Sequence, residues 1–129
     1  MDQSSAFKKS MGNALRVVLA LGGLLLFYPL VPLYGHAILL SASPSSNEVV
    51  YGAVVRVQLR FNARIDGVRS RLVLALPGGR QRLLSANQPS PDTLRSEVSG
   101  LVPGLYFLRW QVLAEDGHIT RGLVPFRAQ

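Results

Sequence analysis

Residues 36–129 predict an all-β fold, an Ig-like Greek-key β-sandwich of about seven strands, preceded by an N-terminal apolar signal helix. Three observations carry this. The stretch 55–61 alternates strictly, with Val55, Val57, Leu59 and Phe61 on one face and Arg56, Gln58 and Arg60 on the other. Turn signals rich in Pro, Gly, Ser, Asn and Asp recur along the chain, and no helical period lies between them. Near the end, Tyr106, Leu108, Trp110 and Val112 fall in phase on one face of a long strand.

The elements follow in order. Residues 1–16 are polar and carry Lys8, Lys9 and Arg16, and residues 17–33 are apolar apart from glycines, a tyrosine and two prolines. A basic start, an apolar run and then small residues have the form of a secretory signal, and the basic flank keeps the N-terminus cytoplasmic while the rest crosses. The apolar run is also long enough for an uncleaved membrane anchor. Pro29 and Pro32 favour cleavage, because they break the helix just before Tyr34-Gly35. A cut after Gly35 gives His36 a free amine. A cut after Ala37 suits the small-x-small rule better and discards that histidine. The sequence leaves both open; the division adopted is 1–35 as signal peptide (or membrane anchor) and 36–129 as the folded domain.

A first short strand over 38–43 ends at Ser43-Pro44-Ser45-Ser46-Asn47, and the alternating strand 55–61 follows as a sheet strand with one wet face. Segments 71–76 and 80–84 are joined by Pro77-Gly78-Gly79, whose glycines supply the positive φ of a hairpin turn. Residues 85–92 read as a polar loop containing Pro89 and Pro91, and 93–98 as another strand. The stretch 101–106 leads into the strand 105–113 and has the form of a tyrosine corner, in which the Tyr106 hydroxyl bonds the backbone upstream. Trp110, in phase with its apolar neighbours, belongs to the core. A last strand over 119–127 closes the sheet, and Pro125 within it favours an edge or a bulge.

Composition narrows the chemistry. There is no cysteine, so disulfides, thiolate metal sites and cysteine nucleophiles are excluded, and any metal must take nitrogen and oxygen ligands. The formal charge of +7 loses three positive charges and one negative with the leader, leaving +5 on the domain. All cations that remain are arginines, scattered through strands and loops without interleaved aromatics. That pattern suits a solvated sheet face, with weak attraction to anionic lipid, better than a nucleic-acid patch.

The chemistry gathers at Ala114-Glu115-Asp116-Gly117-His118 and at His36, the two histidines of the chain. A mature N-terminal histidine offers its α-amine and Nδ1 as a chelate. His118 adds a third nitrogen and Asp116 an oxygen, a donor set suited to Cu(II) in tetragonal geometry; zinc can use the same atoms but prefers a tetrahedron and stands lower in affinity order. Asp116 and His118 are two apart, so both side chains can point to one side while Gly117 allows the bend. The plainer alternative is an Asp-Gly hairpin turn with an exposed neighbouring histidine.

Several segments together resemble one family. His36-Ala37-Ile38-Leu39-Leu40-Ser41-Ala42-Ser43-Pro44, Val57-Gln58-Leu59-Arg60-Phe61, Pro103-Gly104-Leu105-Tyr106-Phe107-Leu108-Arg109-Trp110, and Asp116-Gly117-His118 with Gly122 are similar to the CopC family of periplasmic copper-resistance proteins, in order across the domain. The resemblance implies a β-sandwich that binds one Cu(II) through His36, Asp116 and His118. It also implies association with a CopD-type inner-membrane copper transporter. The chain departs from the family where Asn62-Ala63 stands in place of a glutamate that some members carry, and where Ile119 follows the second histidine in place of a frequent proline. Members with a Cu(I) site use a methionine-rich loop. The methionines here, Met1 and Met11, lie in the leader, so no such site is expected.

The function expected is a periplasmic Cu(II)-binding protein, one ion per chain, that sequesters or delivers copper in resistance or homeostasis. The alternative is a metal-free Ig-like interaction module, periplasmic or membrane-anchored. An enzyme is not expected. Two histidines with an N-terminal amine also resemble the copper site of polysaccharide monooxygenases, but the chain is short and offers no row of exposed aromatics for a polysaccharide. No serine triad, phosphate-binding glycine loop or paired catalytic carboxylates stand out.

Overall fold

The computed structural model describes residues 36–129; the expected export segment, including both methionines, lies outside them. Nine strands follow one another: β1 (Leu39–Ser43), β2 (Glu48–Val50), β3 (Val54–Phe61), β4 (Ile65–Ala75), β5 (Gln81–Leu84), β6 (Asn87–Ser90), β7 (Thr93–Ser99), β8 (Gly104–Ala114) and β9 (Ile119–Ala128). They form a four-stranded sheet in the order β1-β3-β7-β6 and a five-stranded sheet in the order β2-β9-β8-β4-β5. All pairings are antiparallel except β2 with β9.

The seven strands expected from alternation and turn chemistry are all present, and the two additional ones are short edge strands. β2 adds three residues in parallel beside Phe126–Ala128, and β6 runs through the polar segment that reads as a loop. β6 sits at a sheet edge and pairs with β7 across a register shift, which is where Pro89 is tolerated within a strand. β4 starts six residues before its apolar pattern does. An irregularity between Asp66 and Arg71 breaks the alternation there. β9 pairs with β8 along its length, but β2 joins it only from Phe126, so Pro125 stands at the end of an open edge; its carbonyl accepts the Asn47 N–H at 2.7 Å.

The core lies between the sheets. Val57, Leu59 and Phe61 of β3 and Leu94 of β7 face Leu72, Leu74, Leu108, Val112 and Phe126 of the other sheet, all fully buried or nearly so. Burying side chains of this size contributes roughly 1.5–3 kcal/mol each before conformational entropy is subtracted, so this layer fixes how the sheets stack. Trp110 stands edge-on to Phe61 across the two sheets, with ring centroids 5.2 Å apart, and Tyr106 stacks on Phe126 at 5.5 Å. The Tyr106 hydroxyl donates to the Val102 carbonyl at 2.8 Å, the tyrosine corner read from the sequence. Gly122, the cross-strand partner of Trp110, leaves the indole its room: a Cβ there would run into the six-membered ring and lie 2.8 Å from Nε1.

Candidate metal centre

One half of the site is the β8–β9 connection. Leu113 and Ile119 form the closing pair of the hairpin, and the five residues between them fold back on themselves. The Ala114 N–H donates to the His118 carbonyl and the Gly117 N–H to the Ala114 carbonyl, both at 2.9 Å. Gly117 adopts φ +87°, a backbone conformation that a side chain would disfavour. Within this turn Asp116 Oδ1 accepts the backbone N–H of His118 at 2.9 Å. That contact is an Asx-type turn, and it turns the carboxylate and the imidazole to the same side.

The other half is the start of the domain. Ala37 is fully buried, and Ile38 is held from both directions by Asn62: the Asn62 side-chain oxygen accepts the Ile38 N–H at 2.7 Å and the Asn62 N–H donates to the Ile38 carbonyl at 3.0 Å. His36 therefore leaves the sheet from a fixed point. Two residues further on, the Arg64 carbonyl accepts the Glu115 N–H at 3.1 Å and the Arg64 Nε donates to Glu115 Oε1 at 2.7 Å. The short connection between β3 and β4 thus grips both halves. Its Asn62 holds the N-terminal segment and its Arg64 holds the Asp-Gly-His turn.

As a result His36, Asp116 and His118 come together, with one potential ligand atom from each within 4.8 Å of the others. The imidazoles of His36 and His118 lie with centroids 4.3 Å apart and planes tilted by 32°. Both histidines are exposed, while the Asp116 side chain is only 11% accessible. Its Oδ2 is closed off from solvent, and its nearest polar neighbour is Nδ1 of His118 at 3.1 Å, in a geometry short of a well-formed hydrogen bond. The His118 backbone N–H holds the Asp116 carboxyl below its ordinary value, against the opposing effect of burial, with smaller help from the His118 and His36 side chains.

A shielded anionic oxygen whose polar company is the imidazole cluster is poorly served by protein groups alone and well served by a cation. Bonds of about 2.0–2.2 Å to one central ion put opposite donors about 4 Å apart, so small side-chain rotations would close this cluster around a metal. All three residues singled out from the sequence are brought together. Asn62 and Arg64 were not among them. Asn62 had a signal, because it follows the alternating strand directly.

The comparisons with known proteins agree with this architecture. Residues 39–129 match the family described as the CopC domain. The protein YobA of Escherichia coli K12 is 29% identical over 126 residues, covering 91% of this chain and 96% of that protein. Among solved structures, CopC from Methylosinus trichosporium OB3b superposes with a TM-score of 0.66 at 28% identity, over 73% of this chain and 94% of its own. PcoC from Escherichia coli, described as a methionine-rich copper resistance protein, shares the fold with a TM-score of 0.55 at 19% identity, over 74% of this chain and all of its own.

Proposed function

The chain belongs to the CopC family, and on that premise we propose that it is a periplasmic protein that binds one Cu(II) through His36, Asp116 and His118 and serves copper resistance or homeostasis by sequestering or delivering the ion. The observation that carries the reading is the convergence of those three side chains from opposite ends of the domain, with a buried, unsatisfied Asp116 oxygen among them.

Each residue has its own part. Export and cleavage after Gly35 would free the His36 amine, so that this one residue supplies a chelating pair of nitrogens. His118 supplies a third nitrogen, and Asp116 a negative charge that offsets part of the ion's. Three nitrogens and one oxygen suit Cu(II) above the other divalent metals of the first row. Protons compete for the amine and imidazoles, so affinity falls on acidification. With the chain's methionines both in the leader, no methionine-rich Cu(I) site accompanies it. A CopD-type membrane transporter is the recipient or source of the ion that the family resemblance suggests.

The test is copper titration, with electron paramagnetic resonance, of the protein that begins at His36 and of its His118→Ala variant. One Cu(II) per chain with nitrogen hyperfine structure is expected, and the variant should lose more than the roughly 10–100-fold that follows loss of an outer-shell partner. Equal affinity in the two proteins would sink the assignment.

A further inference from the structure

The two outer sheet faces handle their arginines differently. On the four-stranded sheet two of the three cations meet carboxylates, Arg56 at 3.5 Å from Glu97 and Arg60 at 3.2 Å from Asp92, while Arg95 donates to Gln58 at 2.8 Å. On the five-stranded sheet, Arg71 and Arg121 flank Gln111 in one cross-strand row, and Arg109 stands in the next row between Val73 and Leu123. Among the described residues none of these three meets a carboxylate; Arg121 donates to Gln111 at 2.8 Å, and Arg71 and Arg109 have no polar partner there.

Every carboxylate among the described residues is engaged elsewhere. Asp66 pairs with Arg69, Glu115 with Arg64, and Glu48 accepts from Ser45, while Asp116 belongs to the metal cluster. Three arginines without a carboxylate partner, Arg71, Arg109 and Arg121, therefore share one broad face. That face is also apolar between its arginines. Leu83 is 70% exposed and Leu123 50%, and a shallow groove of about 530 Å³ runs among Arg71, Val73, Arg109, Arg121 and Leu123.

We propose that this face docks on an anionic phospholipid surface. Charge complementarity requires an acidic partner and excludes the same face of a second copy. Arg71 and Arg109, held by no polar group among the described residues, and Arg121, held only by Gln111, share a sheet face with exposed leucines, which suits a fluid array of phosphates over hydrocarbon, where headgroups arrange themselves around the cations and the leucines enter the interface. A fixed acidic protein surface would instead be expected to meet guanidinium groups already oriented by neighbours. Arg121 lies three residues beyond His118, roughly 10 Å along the chain, so docking holds the histidine pair close to the headgroups. The inference does not depend on copper.

Sedimentation of the metal-free domain 36–129, whose two sheets enclose a continuous hydrophobic core, tests it with vesicles of phosphatidylglycerol mixed with phosphatidylcholine and with vesicles of phosphatidylcholine alone. Binding to the anionic vesicles only, weakening steeply with salt, is expected. Combining Arg71→Gln, Arg109→Gln and Arg121→Gln should lower it by on the order of 100-fold, from about fivefold per cation at a charged membrane. The same change at Arg56, Arg60 and Arg95 should cost less than about threefold, because screening hides the far face. Thermal melts check that each variant folds, and the salt titration of the unsubstituted domain needs no variant. Absence of binding at low salt, equal losses from both triple variants, or capture of a polyglutamate peptide without vesicle binding would each overturn the proposal.

Discussion

Substituting Gly122 by alanine tests the packing that joins the two sheets beneath the hairpin of the metal cluster. The new methyl group would lie within 3 Å of three atoms of the Trp110 indole, where real Cβ atoms essentially never sit. The ring cannot move away easily: Trp110 is 7% exposed and stands edge-on to Phe61 of the opposite sheet. Overpacking of this kind costs about 1–3 kcal/mol. For a domain of this size each kcal/mol lowers Tm by about 4–8 °C, so a fall of roughly 5–20 °C is expected. Trp110 is the chain's single tryptophan, so its fluorescence reports the displaced ring directly while circular dichroism follows the melt. In a Trp110→Leu background the same glycine change should be much milder, because the obstructing ring is gone. A Tm within about 2 °C of the parent, with unchanged emission, would refute the close contact.

Two further outcomes follow from named contacts. Asn62→Ala removes the acceptor of the Ile38 N–H, which should cost about 0.5–1.5 kcal/mol in stability and weaken copper binding about 10–100-fold by releasing His36, whereas Asn62→Asp keeps an acceptor and should restore most of the affinity in a copper competition titration. Hydrogen bonds from Ser90 and Thr93, with the nearby Arg60, lower the Asp92 pKa from 3.8 to about 2; the ionised group therefore contributes stability that is complete above 3.8 and lost as pH falls towards about 2, a dependence that Asp92→Asn should remove from acid melts and that an NMR titration of Asp92 reads directly.

Much of this was legible in the sequence where one residue's pattern decides its place. From Val55 to Phe61 β3 alternates strictly, and its burial in the structure alternates in step. Tyr106 and Trp110 were in phase with a strand face and are in the core. Asp116-Gly117-His118 carried both its turn and its chemistry in adjacent residues. What stayed hidden depends on distant partners. β2 and β6 have no pattern of their own and become strands because β9 and β7 offer open edges. The irregularity in β4 conceals six of its residues. The grip of Asn62 on Ile38 and of Arg64 on Glu115 links segments 24 and 51 residues apart, which no local spacing announces. The role of Gly122 is visible only once the indole lies across it.

The central claim rests on a free amine at His36, so the most direct measurement is the intact mass and N-terminal sequence of the protein isolated from the periplasm or membrane, followed by Cu(II) titration of that same material. The account predicts a chain that begins at His36 and takes up one Cu(II). A chain that begins at Ile38 or keeps Met1, or one that begins at His36 and takes up no copper, would contradict it.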